Sequence, residues 1–490
     1  MIFFHRISYL TIKNLQLRYR PMSMSRVVKP FQAIPGPKRW PILGHFHLFS
    51  PWGPYSFEKI MDAFQDLWKK HGSIVRLDLG APLIVLFDPN DIQELYIRNE
   101  SFPHRPVFEA LKYYRTSKPH MYKSSGIVVE NGEEWWRLRR QLNWMLLSEV
   151  VQHTFSKNVN LADDFVKRVR LIRDNKNEIG NFLKEIYRFT LEASAMLCFG
   201  KRFSNFEEKA EDDILTATED TLESMSKTLL EPPLWKLIKT PIYRKLEKSQ
   251  DFFYRTSKEI VETFKMTTNQ STEKHCFLLN KLINDQNLDD ADVILLLLEV
   301  FSAGIDATGN SLAYLLYNLA KNPDKQEILY EEIKNFDNSP KELHKYIYLK
   351  ACIKESMRLL PTVGGTARIL TDDLILSGYH VPRGTTCFGM HPLIGRRSEY
   401  FSKASDFVPE RWIRENGMLE EKIHPYAILP FGHGRRRCVG QRIAEQEMQI
   451  FITKMLQNFH VQFLNEDINC VMRMQLVPDR PLLFRFIDRS

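Results

Sequence analysis

Apolar positions recur at helical spacing through most of residues 135–365, which predicts a mainly helical middle. Shorter alternating runs at Ile74–Leu79, Leu83–Phe87 and Val461–Phe463, with more near the C-terminus, predict small sheets. Together they describe a mainly α chain with small β-sheets, an α+β architecture. One predicted helix runs from Asp289 to Asn318 through the apolar stretch Ile294–Leu298. That stretch is far shorter than the roughly 20 residues needed to cross a bilayer, so it predicts a core helix. Another runs from Gln441 to Phe459, with Ile443, Ala444, Met448, Phe451 and Ile452 on one side.

Composition changes little in this picture, because 43% hydrophobic and 26% charged residues suit a globular protein with a large core. Charge changes more. The net charge is +8, yet residues 1–30 hold Arg6, Lys13, Arg18, Arg20, Arg26 and Lys29 and no acid. The body is left nearly neutral, which argues against a nucleic-acid partner. A basic, acid-free, loosely amphipathic leader predicts a mitochondrial targeting presequence over residues 1–30. Prolines 35, 37, 41, 51 and 54 predict a stiff lead-in over 31–55, followed by one body over 56–490. The six cysteines form no CxxC pair, so neither a disulfide scaffold nor a Cys-rich zinc site is expected.

Candidate chemistry gathers late in the chain. Cys438 follows Arg435, Arg436 and Arg437 and precedes a helix, a setting that predicts a lowered thiol pKa. Such a thiolate serves as a metal ligand or, with His433 as base, as a nucleophile. Gly434 and Gly440 favour close approach of a flat group. Phe431 can shield the sulfur, and Arg436 can reach an acidic edge of that group. Glu355 and Arg358 lie three apart on a predicted helix. In Ala303-Gly304-Ile305-Asp306-Ala307-Thr308, Thr308 is expected to bond back to the Gly304 carbonyl and open the helix beside Asp306. Lys350 and Lys354 share a helix face.

The run Phe431-x-x-Gly434-x-Arg436-x-Cys438-x-Gly440 resembles the haem-binding loop of the cytochromes P450. Four further motifs follow that family's order: Trp135-x-x-x-Arg139, Ala303–Thr308, Glu355-x-x-Arg358 and Pro409-Glu410-Arg411. The resemblance runs from about Pro35 to the C-terminus and implies the P450 fold, a single large haem-binding domain. It implies haem b with Cys438 as axial iron ligand, and Phe431, Gly434 and Gly440 around the sulfur. Arg436, Trp135, Arg139 and Arg368 are implied at the haem propionates, although the frame Trp136 with Arg140 also fits. Asp306 and Thr308 would deliver protons to dioxygen, with Ala307 where the family usually has Thr. Glu355, Arg358 and Arg411 would form a structural salt-bridged network.

Leu349–Glu355 is similar to the mitochondrial branch, in which two lysines dock a small acidic ferredoxin reduced by an NADPH-dependent reductase. Lys350 and Lys354 occupy those positions. The branch implies a monooxygenase acting on a steroid with O2, peripheral to the matrix side of the mitochondrial inner membrane. The run of residues is similar to insect ecdysteroid 22-hydroxylases of moulting-hormone biosynthesis. The alternative is another mitochondrial or a microsomal member acting on a different lipid or xenobiotic. Residues 106–128, Leu297–Thr308, Thr362–Ala367 and Met472–Leu476 are expected to line the substrate site.

Overall fold

The computed structural model describes residues 27–489 apart from 51, 99–101, 204–205, 207, 231–232, 268–275, 416–417 and 420. The expected presequence thus lies outside the described residues up to position 26. The first half of the body carries α1 (Ile60–His71), α2 (Pro89–Arg98), α3 (Glu109–Thr116), α4 (Gly132–Arg140), α5 (Ser148–Ile172), α6 (Phe182–Phe199), α7 (Glu208–Leu230) and α8 (Pro241–Thr267). Then come α9 (Phe277–Ile283), α10 (Asp290–Lys321), α11 (Pro323–Ile333), α12 (Pro340–Leu343), α13 (Ile347–Leu359), α14 (His391–Ile394) and α15 (Gln441–Asn458).

The largest sheet orders β1 (Ile74–Asp78), β2 (Pro82–Leu86), β7 (Thr386–Gly389) and β4 (Thr366–Ile369) side by side. In it β2 pairs parallel with β7, so a strand near the N-terminus is joined to one three hundred residues later. A second sheet orders β10 (Phe459–Phe463), β13 (Phe484–Asp488) and β3 (Glu178–Ile179). The remaining strands form hairpins: β5 (Leu374–Leu376) with β6 (Tyr379–Val381), β8 (Arg414–Glu415) with β9 (Met418–Leu419), and β11 (Cys470–Arg473) with β12 (Gln475–Pro478).

The expected core helix is α10, which runs three residues beyond Asn318, to Lys321. Asp289 caps it by accepting from Asp292 N at 3.0 Å, and Asp292 returns the bond, a capping box that fixes its start. Its residues Val293–Leu298 are all buried. Leu312–Leu316 pack in one apolar core with α5, α6, α13 and α15. Leu296–Leu298 and Ile305 pack in a second with Leu138, Val439 and Ile443. The long helix therefore spans both cores and passes close to the start of α15, where Cys438 lies.

Candidate functional site

The cysteine loop is built by backbone geometry. Gly432 and Gly434 both adopt φ of +69°, a left-handed conformation that L side chains rarely tolerate. The chain then makes a short 3-10 turn over Gly434–Arg436, and Cys438 N donates to Phe431 O at 2.8 Å. Phe431 and Cys438 are thereby clamped at the two ends of one loop. The Cys438 side chain has accessible surface, yet burial dominates its titration, so that surface faces the interior of the molecule. The expected lowering of its pKa is not found. Burial pushes the thiol above its ordinary value, against the opposing pull of the Gly440 N–H, Arg139, Arg105 and Arg437. Sequence shows the positive charges but not the desolvation that outweighs them. A metal ion at the sulfur would favour the thiolate. His433 is not aimed at Cys438 as a base, since its Nε2 pairs with the Tyr426 hydroxyl at 3.2 Å.

Four arginines converge beside this loop, from four separate elements. Arg139 and Arg368 sit in α4 and β4 and are 4% and 1% exposed. Arg436 lies 4.1 Å over the Trp135 ring and donates to the Glu130 carbonyl at 2.7 Å and Asn131 Oδ1 at 2.6 Å. Arg105 donates to the Arg436 carbonyl at 3.0 Å. Burial, then the neighbouring guanidinium groups, brings Arg105 down to about 10 and Arg436 to about 8. Arg105 Nε and Arg368 Nη2 are buried without a hydrogen-bond partner. Among the described residues no carboxylate pairs with any of the four. Concentrated positive charge with unused donors calls for a large anionic group, and a haem with two propionates beside Cys438 fits it. Trp135 and Arg139 are buried and join this cluster, whereas Arg140 is exposed, which favours the first Trp-x-x-x-Arg frame. Arg105 was missed in the sequence. It stands between Pro103 and Pro106 with no periodic pattern to mark it, and only the fold brings it to Arg436.

Glu355, Arg358 and Arg411 come together as expected. All three are at most 1% exposed. Arg358 grips Glu355 with two bonds, Nε to Oε2 at 2.8 Å and Nη2 to Oε1 at 2.7 Å. Arg411 Nε reaches Glu355 Oε1 at 3.0 Å, and Trp412 Nε1 and Val408 N donate to the same carboxylate. The remaining Arg358 donors hold the carbonyls of Gly395, Ala404 and Asp406. One carboxylate thus joins α13 to the segment that leads toward the cysteine loop.

The α10 segment corrects one expectation. Ser302 and Ser311 bond back to the carbonyls of Leu298 and Ala307, at 2.9 and 2.8 Å, but Thr308 does not bond to Gly304. A Cβ added at Gly304 would meet Ser194 Oγ at 2.4 Å, and one at Gly309 would meet Tyr187. Thr190 of α6 donates to the Ile305 carbonyl at 2.9 Å. Thr308 is 5% exposed, like Asp306 two residues before it. What Gly304 admits is α6. The accessible stripe of α10 is formed by Ala303 with half-buried Val300, Ala307 and Ser311, and it ends at fully buried Leu315. Asp306 is 5% exposed with Oδ2 unpartnered, and burial followed by Glu219 pushes its carboxyl up to about 7.

The expected lining segments also meet. Met472 and Leu476 close over Gly364, and Leu476 N donates to Thr362 O at 2.8 Å. Val107, Phe108, Leu111, Leu295 and Met474 share one apolar cluster. α3 is tied to α10 by the buried pair Arg115–Glu299 at 2.5 Å, and the loop before α4 by Ile127 N donating to Glu299 at 2.8 Å. On the opposite surface Lys350 and Lys354 are both exposed on α13. Lys350 Nζ donates to the His344 carbonyl at 2.7 Å, and the Lys354 ammonium lies 3.9 Å over the Trp412 ring. Trp412 itself bonds Glu355, so this basic face backs directly onto the buried network. Arg435, Arg437 and Arg442 are exposed around the cysteine loop.

A family model described as cytochrome P450 matches residues 34–484. The mitochondrial cytochrome P450 302a1 of Drosophila melanogaster is 33% identical over 475 residues, covering 93% of this chain and 95% of that protein. Cytochrome P450 10 of Lymnaea stagnalis is 30% identical over 480 residues, with 94% and 87% covered. The mitochondrial 1,25-dihydroxyvitamin D(3) 24-hydroxylase of Rattus norvegicus is 28% identical over 481 residues, with 96% and 91% covered. Relatives named as mitochondrial support the mitochondrion as the place where this chain works.

Proposed function

The chain belongs to the cytochrome P450 family, and we propose that it is a mitochondrial steroid hydroxylase acting on an ecdysteroid at carbon 22. Membership makes it a monooxygenase with haem b as cofactor, and the bound haem supplies the activation of dioxygen. The protein's own residues hold and serve that group. Cys438 ligates the iron, and Phe431, Gly434 and Gly440 shape the loop around the sulfur. Arg105, Arg139, Arg368 and Arg436, with Trp135, neutralise the propionates. Asp306, poised near neutrality, exchanges protons with the interior. Glu355, Arg358 and Arg411 fix the segment behind the site.

The observation that carries the electron supply is the basic α13 face. Lys350 and Lys354 stand exposed one turn apart on the back of the Glu355 network, where a small acidic ferredoxin can dock. Substrate choice rests on the resemblance to insect ecdysteroid 22-hydroxylases and on the steroid-like substrate in the name of the rat relative. Peripheral attachment to the inner membrane, on its matrix side, is supported by exposed Leu234, Leu237 and Ile238 beside Lys236 and Lys239. Purified protein with ferredoxin, ferredoxin reductase and NADPH, offered a panel of ecdysteroid precursors, other sterols and fatty acids, tests the reading by mass spectrometry. Hydroxylation of an ecdysteroid precursor is expected. Turnover confined to fatty acids, or support from a microsomal flavoprotein reductase alone, would replace it with the other branch.

A further inference from the structure

Among the described residues, Arg368 enters the arginine cradle with no carboxylate to hold it. Its Nη1 donates to the carbonyl of the adjacent Ala367 at 2.8 Å, and Nη2 is buried without a partner. Its guanidinium carbon lies 4.7 Å from the centre of the Tyr96 ring, over the face. Tyr96 belongs to α2 and is buried. A ring face attracts a cation, and does so more strongly where water is excluded.

The ring is itself fixed. Tyr96 donates its hydroxyl proton to Thr366 Oγ1 at 2.7 Å, and that oxygen lies 2.9 Å from His391 Nε2. The ring meets His433 edge-on at 5.8 Å and lies 6.2 Å from the Tyr426 ring. Thr366 stands two residues before Arg368 in β4, and His433 precedes Gly434 in the cysteine loop. One phenol therefore touches the arginine, the strand that carries it and the loop that carries Cys438.

The kind of contact matters. A carboxylate in place of the ring would hold Arg368 by cancelling its charge. A ring has a quadrupole and no net charge, so it orients the guanidinium and leaves its positive charge for the anion of the site. Burial draws His391 down to about 4, so the imidazole behind Thr366 is neutral and adds no charge to the cradle.

We propose that Tyr96 is a positioning residue for the haem, aiming Arg368 at a propionate and through that contact setting the reduction potential of the iron. This rests on haem filling the cradle beside Cys438. A propionate faced by an aimed guanidinium is compensated, which favours ferrous iron. A propionate whose guanidinium has swung away is not, which favours ferric iron and loosens the haem.

The test uses the full-length holoenzyme without substrate. It reads the midpoint potential by spectroelectrochemical titration and the rate of haem transfer to apomyoglobin. Tyr96→Leu removes the ring and is expected to lower the potential and to speed haem loss several-fold. Tyr96→Phe and Thr366→Val keep the ring but free it from its anchor, and smaller shifts in the same direction are expected. Arg368→Gln is expected to shift the potential at least as far as Tyr96→Leu. Combining those two should then add nothing to Arg368→Gln alone, because the ring acts through the arginine. A merely structural role for Tyr96 predicts two losses that add. A wild-type potential in Tyr96→Leu, or additive shifts in the double variant, overturns the proposal. Should either variant fail to take up haem, Tyr96→Phe and Thr366→Val decide, and an unchanged potential in both overturns it. A wild-type protein that bound no haem would overturn the haem reading and this proposal with it. A haem-loaded wild type beside unshifted variants overturns this proposal alone.

Discussion

Asp306 is the side chain whose environment speaks most directly about chemistry. Burial moves its carboxyl to about 7, so at neutral pH it is present in both protonation states, as a proton exchanger needs. The same shift makes it a pH-dependent liability. Folding raises its pKa, so the folded state binds the proton more tightly than the unfolded chain. Its contribution is present at low pH and is lost as pH rises from about 4 through 7. Asp306→Asn, which copies the neutral form, is therefore expected to raise stability more at pH 8 than at pH 5, by at most about 4 kcal/mol for a three-unit shift. Thermal melts of wild type and variant at the two pH values check this. An equal effect at the two pH values would mean that Asp306 is ionised throughout. Cys438 shows how far residue-scale reading reaches from sequence. Its arginines and its helix were visible, but the burial that reverses their effect on the thiol was not, because desolvation depends on the whole fold.

At the scale of elements, α13 carries two opposite faces. Its inner face holds Glu355 with four groups donating to one carboxylate. Glu355→Ala would leave Arg358 and Arg411 buried and unpaired, a loss of about 3–5 kcal/mol. That is a large share of the ordinary 5–15 kcal/mol of a folded domain. Urea unfolding and haem content are expected to show a much lower midpoint and little bound haem. Normal values for both would remove the network from the stability of the site. Its outer face predicts electrostatic docking. Lys350→Glu with Lys354→Glu is expected to raise the apparent KM for ferredoxin strongly and to flatten its salt dependence, with haem content unchanged. Screening shrinks from about 10 Å at 0.1 M salt to about 3 Å at 1 M. Identical titrations at both ionic strengths would make the lysines ordinary surface charges, which contribute at most about 1 kcal/mol. The i,i+3 and i,i+4 spacings made both faces readable in advance. The rotation of α10 was not readable to the same degree. Its motif placed Asp306 and Thr308 together, but not the close packing of Gly304 and Gly309 on Ser194 and Tyr187 of α6.

For the whole molecule, local pattern captured the helical body, the small sheets and the loop that holds Cys438. It did not capture the parallel pairing of β2 with β7 or the convergence of Arg105 with Arg139, Arg368 and Arg436, which come from 105–436 along the chain. Such contacts carry no periodic signal, because nothing local selects them. They are nonetheless what turns a cysteine loop into a site with a matching anion cradle. The central claim is that Cys438 and this cradle together hold a haem whose iron the sulfur ligates. The most direct test is the absorption spectrum of the purified protein after reduction and CO addition, beside Cys438→Ser prepared in the same way. The wild type is expected to show the red-shifted Soret band of a thiolate-ligated haem, and the variant to lose it. A haem-loaded Cys438→Ser protein that kept the red-shifted band would contradict the account.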